Sequence, residues 1–444
     1  MRNYGPKIGP PLHRSGHRRR EQGDNVTEQL VVIGLGYVGL PLAQEACRAG
    51  LSVVGLDTTA RVVDALNAGR SHVDDLSDTD VEAMVGQGFR ASTDEAVLDE
   101  ATVVVICVPT PLGEDGGPDL SAVESAVRAV ARHLHRGMLV VLESTTYPGT
   151  TEEVVRPILE AGGLVAGIDF HLAFSPERID PGNAKFGLRN TPKVVGGCTE
   201  SCTEAAAAFY AQVVERVVRV AGTREAEMAK LLENTYRHVN IALVNEMAVF
   251  CKELGINLWD VIDAAATKPF GFHAFYPGPG VGGHCIPIDP NYLSYKVRTD
   301  LGYAFRLVEL SQEINDSMPV YVADRVAARL AADGIGIEGA TVLLLGVTYK
   351  ADIGDSRESP TMPLAQRLRE LGAAVAFHDP YYETWTVDGE VLHRVPDLDD
   401  ALRKSDVTVL VQAHSAYDLP AIAATAARLF DTRGKVRAPG VERL

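Results

Sequence analysis

From residue 30 onward, short apolar runs alternate with stretches whose apolar positions recur every three or four residues. LVVIG, beginning at Leu30, is the continuous apolar run of a strand buried on both faces. A Gly-rich turn follows, then PLAQEACRAG, which predicts a helix ending at Gly50. Residues 51–56 predict the next strand, with Asp57 at its end. Further apolar runs at 101–108, 138–142 and 172–174 are mostly separated by helical patterns. Strands alternating with helices predict a parallel α/β sheet.

Between about 224 and 255 the pattern is helical without a break. Leu231, Thr235, Val239, Leu243, Met247, Phe250 and Leu254 recur at spacings of three and four, and neither Pro nor Gly interrupts 223–254. That predicts a helix of about 45 Å. A second helical stretch at about 303–330 follows a Gly-rich segment at 278–283. From residue 341, TVLLLGV, a helix near 362–371, AAVAFHDP and DVTVLVQA predict a second, shorter α/β unit, and the two units read as weakly related halves. Residues 1–25 stand apart, with six Lys/Arg, two acids and three Pro. No apolar stretch of signal-peptide type follows, so they read as a disordered basic extension, with a basic docking arm as the sharper alternative.

Composition narrows the class. A length of 444 residues predicts about three domains. Hydrophobic residues at 46% and charged residues at 23% exclude a mainly disordered, collagenous or coiled-coil chain. No run of about 18 apolar residues is present to span a bilayer. The net charge of −17 argues against nucleic acid as the main partner, though a local site can still take a small anion. Six sparse cysteines suggest no disulfide framework and fit a reducing cytoplasm. Cys198 and Cys202 lie four apart, but no second Cys/His pair stands at finger spacing, so no metal is expected.

Three patterns carry chemistry. The first is VVIGLGYVGLPLA, in which Gly34, Gly36, Tyr37, Val38 and Gly39 form a G-x-G-x-x-G turn between a strand and a helix. Such a turn brings backbone close to a pyrophosphate and aims helix N–H groups at it. Asp57 ends the next strand, where an acid accepts from an adenosine ribose and repels a 2′-phosphate; the cofactor expected is therefore NAD rather than NADP. CVPTP, with Thr110, is a loop at the carboxyl edge of the same sheet or a plain Pro turn. The second pattern is PGPGVGGHCIPIDP, where Gly278, Gly280, Gly282 and Gly283 precede Cys285, with His284 adjacent and Asp289 four residues on. A reactive thiolate needs such neighbours, and a packed cysteine remains the plainer reading. The third is Lys230, Asn234 and His238 on one face of the long helix. Glu227 and Glu233 stand three residues from Lys230, so an ordinary solvated ion-paired face is the alternative.

Together GLGYVGLPLA, STTYPGT, SPER, AKLLENTYRHVNIALVNE, GPGVGGHCIPIDP and YKADIGDSRESP resemble the UDP-glucose/GDP-mannose dehydrogenase family, from about residue 29 to the end. Within it, TKPFGF, FYPGPG and GGHCIPIDP look most like UDP-N-acetylhexosamine 6-dehydrogenases, especially the N-acetylglucosamine type. Glucose-type members usually have Lys where Ile288 stands. The fold implied is α/β: two Rossmann-like domains joined by a long helix in a helical middle domain. The expected units are 26–222 for NAD binding, 223–330 for the middle and dimerisation, and 331–444 for the UDP-sugar.

The resemblance implies a four-electron oxidation of the C6 hydroxymethyl group of a UDP- or dTDP-sugar to the carboxylate. Cys285 would form a thiohemiacetal and then a thioester. Lys230 and Asn234 match a pair that stabilises oxyanion charge or holds water. Asp289 matches an acid assisting the thiol and the hydrolytic water, Thr145 one that positions a water, and Glu177 of SPER one that moves protons. Pro181 stands where many glucose-type members carry a second Glu. Gly34, Gly36, Gly39, Asp57, Thr110 and Arg357 match NAD contacts. Lys350 matches a contact to the nucleotide sugar, Lys268 a basic residue from a neighbouring subunit, and the Gly278–Gly283 loop a wrap around the diphosphate. His284 and His238 are read as structural. A homodimer in the cytoplasm is implied. The rivals are a two-electron dehydrogenase of hydroxyacid type, which needs no nucleophilic Cys, and a non-catalytic nucleotide-sugar sensor.

Overall fold

The computed structural model describes residues 28–444 except 74, 114–116, 181–182, 184, 284–285 and 287. The extension expected at 1–25, and with it Cys285, His284 and Pro181, lies outside the described residues.

The N-terminal sheet contains β1 (Gln29–Ile33), β2 (Ser52–Leu56), β3 (Arg90–Ser92), β4 (Val103–Ile106), β5 (Leu139–Leu142), β6 (His171–Phe174), β7 (Lys193–Gly197) and β8 (Val217–Arg219). They lie in the order β3-β2-β1-β4-β5-β6-β7-β8. The central strands are apolar on both faces because each face has its own core, one under the helix Gly39–Arg48 and one under the helix Ser121–His133. The expected parallel pattern has one exception: β6 and β7 pair antiparallel. The strand order reverses between β1 and β4, so a crevice opens over their carboxyl ends.

The second sheet holds β9 (Thr341–Leu345), β10 (Ala374–His378), β13 (Val407–Leu410), β14 (Leu429–Asp431) and β15 (Glu442–Arg443), in the order β10-β9-β13-β14-β15, all parallel. A hairpin of β11 (Thr384–Val387) and β12 (Glu390–His393) sits beside it. The likeness of the two units is visible atom by atom. Gly34 (φ +88°) donates to Leu56 O at 2.9 Å, the next N–H, of Leu35, reaches Asp57 Oδ2 at 3.0 Å, and Thr59 N–H reaches Asp57 Oδ1 at 2.9 Å. Gly346 (φ +84°), Val347 and Tyr381 repeat this around His378 O and Asp379, at 2.9, 2.7 and 2.8 Å. The positive φ explains glycine at both turns. The halves then diverge: Asp57 stays half-exposed, whereas Asp379 is fully buried with its Oδ2 3.1 Å from His414 Nε2.

Two helices join the sheets. The spine helix, Thr223–Glu253, has the 31 residues that the uninterrupted pattern predicts. The bridging helix, Arg306–Ala332, packs along it, and its second half enters the C-terminal core through Met318, Val322, Val326 and Leu330. One continuous element therefore carries load for two units. Leu330 is fully buried in that core. Leu330→Ala should destabilise the C-terminal unit by roughly 2–5 kcal/mol. Denaturant unfolding followed by tryptophan fluorescence, with Trp385 in the same core, measures it.

Candidate active site

The site grows from the polar residues that the spine helix turns inward. Glu227, Lys230, Asn234, His238 and Asn245 are all buried. Buried polar groups need partners, and most of these partners lie in loops at the carboxyl edge of the first sheet or in the Gly-rich segment. Glu227 accepts the N–H groups of Gly149 and Thr151 at 2.6 and 2.9 Å and the Thr151 hydroxyl at 2.7 Å. One turn on, Lys230 Nζ donates to the Thr145 hydroxyl. One further turn on, Asn234 Nδ2 donates to Asp289 Oδ2 at 2.6 Å. Asn245 bridges Gly278 N–H, at 2.9 Å, and Asn315 of the bridging helix, at 2.9 Å.

The solvated-face reading of this stripe therefore fails. Glu227 faces backbone donors instead of Lys230, and Glu233 pairs with Arg178 of the SPER segment at 2.6 Å. The fold thereby brings Thr145, Lys230, Asn234 and Asp289 to one place. Asp289 opens the helix Asp289–Leu301, just ahead of Pro290, a residue suited to a first turn. Burial pushes its carboxyl up, against the opposing pull of the Lys230 charge and the Asn234 hydrogen bond. Thr110 ties this cluster to the cofactor crevice. Its hydroxyl donates to Thr145 O at 2.7 Å, and its carbonyl accepts from the Tyr292 hydroxyl.

Burial and backbone geometry test the fit of a dinucleotide. A Cβ on Gly39 would stand 1.9 Å from Gly34 O, so only glycine lets the helix approach the strand so closely. A Cβ on Gly36 would meet nothing within 4 Å, which leaves space over the helix N-terminus for a pyrophosphate. Tyr37 is exposed at this turn and Val38 half-buried. Asp57 is fixed by backbone donors at the end of β2. The residues present fit NAD. From the C-terminal unit, Arg357 pairs with Asp355 at 2.8 Å and lies within electrostatic reach of Tyr37.

Other expected residues lie elsewhere. Lys350 Nζ bonds Asp180 Oδ1 at 2.7 Å, across the two α/β units. Gly280, Gly282 and Gly283 pack on Pro360, Glu358 and Tyr349, so close approach between units explains these glycines directly. Lys268 is exposed, its ammonium 5.0 Å from the Phe270 ring centroid. Glu177 Oε1 accepts the N–H groups of Arg178 and Ile179, at 2.6 and 2.5 Å. His238 is fully buried beside Asn315, and burial pushes its pKa down to about 4, so it is neutral. Among the described residues no three His, Cys, Asp or Glu side chains gather as metal ligands; Cys202 instead accepts Leu172 N–H at 3.4 Å. Sequence reasoning missed Glu143, Lys193 and Asn245, and it underrated Glu227. The signal for Glu227 was present: it stands three residues before Lys230, on the same helix face.

The chain matches three successive family models of the UDP-glucose/GDP-mannose dehydrogenase family: the NAD binding domain at 28–214, the central domain at 224–317 and the UDP binding domain at 343–438. A UDP-N-acetyl-D-mannosamine dehydrogenase of Pyrococcus horikoshii is 37% identical over 80% of this chain and 84% of its own length. An NDP-N-acetyl-D-galactosaminuronic acid dehydrogenase of Ralstonia nicotianae is 36% identical over 87% of this chain and 90% of its own. The solved structure of the UDP-D-ManNAc dehydrogenase of Pyrococcus horikoshii superposes with a TM-score of 0.84 at 33% identity, covering 94% of this chain and 98% of that one.

Glu227 yields a pH prediction. Burial pushes its carboxyl up to about 7, outweighing the three donors it faces. The folded chain thus holds this proton more tightly than the unfolded chain. The group's contribution to stability is full below about 4.5 and is lost as pH rises through about 7. Unfolding free energy should fall by up to roughly 3 kcal/mol across that window from this group. Glu227→Gln cannot ionise and should lack that component. Urea unfolding of both proteins at about pH 5 and about pH 8 measures the difference in slope.

Proposed function

The chain belongs to the UDP-glucose/GDP-mannose dehydrogenase family, and from that premise we propose that it oxidises the C6 hydroxymethyl group of UDP-N-acetylmannosamine to the carboxylate, using two NAD+. The observation that carries the reading is the buried convergence of Lys230 on Thr145 and of Asn234 on Asp289, linked through Thr110 to the loop after β4. Sequence motifs ranked N-acetylglucosamine first. The relatives reported above are named for N-acetylmannosamine and N-acetylgalactosaminuronic acid, and they move the first choice to the manno sugar.

Bound NAD+ supplies the hydride acceptor. The dinucleotide turn at Gly34, Gly36 and Gly39 would hold its pyrophosphate and Asp57 its ribose, with Thr110 and Arg357 as further contacts. Lys230 holds negative charge that develops on the substrate oxygen. Cys285 attacks the C6 aldehyde to give a thiohemiacetal, and loss of the second hydride gives a thioester that water cleaves to carboxylate and free thiol. Asp289, with its carboxyl pushed up by burial and hydrogen-bonded to Asn234, exchanges protons with the thiol and the water. Glu177 serves the proton transfers, and Thr145, under Lys230, orients a water. Lys350 and the Gly278–Gly283 loop hold the nucleotide sugar. Over the whole reaction one sugar, one water and two NAD+ give one uronate, two NADH and three protons.

NADH release distinguishes this from a two-electron dehydrogenase. A panel of UDP-N-acetylmannosamine, UDP-N-acetylglucosamine, UDP-N-acetylgalactosamine, UDP-glucose and dTDP-glucose, read at 340 nm, should give two NADH per sugar with the manno sugar favoured. Cys285→Ser should lose the second turnover step. One NADH per sugar, or full activity in Cys285→Ser, would sink the thioester route.

The protein acts as a homodimer in the cytoplasm. No helix among the described residues is long and apolar enough to cross a membrane. The outward face of the spine helix and its cap residue carries Met228, Leu232, Tyr236, Leu243, Phe250 and, at the cap, Leu254, all exposed in the single chain. Their positions fall within about 80° of one another at 100° per residue, so they form one stripe. Such a stripe calls for cover, and a second copy would bring Lys268 towards a neighbouring site. Light scattering after size exclusion should give twice the monomer mass. The double substitution Leu232→Asp and Tyr236→Asp should shift it to the monomer.

A further inference from the structure

We propose that Glu143 and Lys193 are positioning residues, a buried charge pair that sets the protonation of Glu177. The inference rests on the proton-transfer role assigned to Glu177 above.

The argument starts from the sheet. Cys107 follows β4, Glu143 follows β5 and Glu177 follows β6, all at the carboxyl edge. Lys193 is the first residue of β7, and a parallel β7 would have put it at the opposite edge. The antiparallel pairing of β6 and β7 brings it back to the same edge. Its ammonium lies 3.0 Å from Glu143 Oε1 and 3.5 Å from Glu177 Oε2. Glu143 and Lys193 are almost fully buried, and Tyr210, wholly buried, donates its hydroxyl to Glu143 Oε1. Cys107 Sγ stands 4.0 Å from Glu143 Oε2. Glu177 Oε1 is held by two backbone N–H groups, while no donor among the described residues hydrogen-bonds Oε2. Arg178, the neighbouring cation, is committed to Glu233 and Pro192 O.

One ammonium therefore serves two carboxylates. With all three ionised, the cluster carries one net negative charge in a buried setting, which is costly. Burial pushes the Glu143 carboxyl up. Burial pulls the Lys193 ammonium down, but the two carboxylates outweigh it and keep the ammonium charged. The ionisations of Glu143 and Glu177 are consequently linked, each competing for Lys193. Glu143, Lys193 and Tyr210 are shielded from solvent, and Glu177, whose side chain keeps about a tenth of its surface exposed, is the member of the cluster through which a proton enters or leaves.

The test is the acid limb of kcat against pH, with NAD+ and the best sugar of the panel. Glu177→Gln first establishes whether that limb belongs to Glu177; if the limb persists unchanged, the role of Glu177 falls and this proposal with it. With that limb assigned, Lys193→Met removes a nearby cation and should move it up by about one to three pH units. Glu143→Gln removes a competing anion and should move it down. Lys193→Arg should restore it. Opposite shifts support the proposal, because a purely structural role lowers kcat or stability without moving the limb in opposite directions. If Glu177→Gln abolishes the limb but Glu143→Gln leaves it in place, the proposal is overturned and the role of Glu177 stands. Should Lys193→Met fail to fold, Glu143→Gln, near-isosteric, carries the test alone.

Discussion

The need of buried polar side chains for partners organises this molecule. The spine helix Thr223–Glu253 turns a carboxylate, an ammonium, an amide and an imidazole inward within twelve residues, from Glu227 to His238. Unsatisfied, each would cost on the order of 1–3 kcal/mol or more. The partners of Glu227, Lys230 and Asn234 are segments with little reason of their own to be ordered, the 145–151 turn and the start of the helix Asp289–Leu301, while His238 lies against Asn315 of the bridging helix. The helix thus works as a rigid rule on which the loops are registered, one turn apart. Thr110 extends that registration to the dinucleotide crevice.

The same constraint explains why the spine helix is inverted relative to an ordinary surface helix. Its buried face carries the polar residues of the site alongside Ala226, Leu231, Ala242, Val244 and Ala248, while an apolar stripe lies exposed on the other side. Of the residues whose spacing predicted the helix, Leu243, Phe250 and Leu254 are exposed and Val239 and Met247 half-buried, while Leu231 and Thr235 are buried. Periodicity reported the helix but not which side faces the core, because an exposed apolar stripe has the same period as one facing its own domain.

The two α/β units share one turn geometry and use it differently. Gly34 with Asp57 and Gly346 with Asp379 place equivalent hydrogen bonds at the ends of equivalent strands. The first half leaves its acid reachable by a ligand. The second encloses it against His414. The glycines at 280–283 look in sequence like a phosphate loop. In the fold they are also what lets this segment lie against Tyr349, Glu358 and Pro360 of the second unit.

The amino-acid sequence alone determined the architecture and the NAD turn, and its resemblance to the family's motifs supplied the candidate set Thr145, Lys230, Asn234 and Asp289. The architecture and the turn are written in local spacing: apolar runs, three-and-four periodicity, glycines at fixed intervals and an acid one strand later. Only the tertiary structure decided which inward residues meet which loops. It alone revealed that Glu227 binds backbone donors, that Glu143 and Lys193 lie behind Glu177, and that one apolar stripe of the spine helix is exposed. Those pairings join residues 55 to 85 positions apart along the spine helix, or depend on one strand running against its neighbour. Nothing in local periodicity records strand direction or which distant group will satisfy a buried charge.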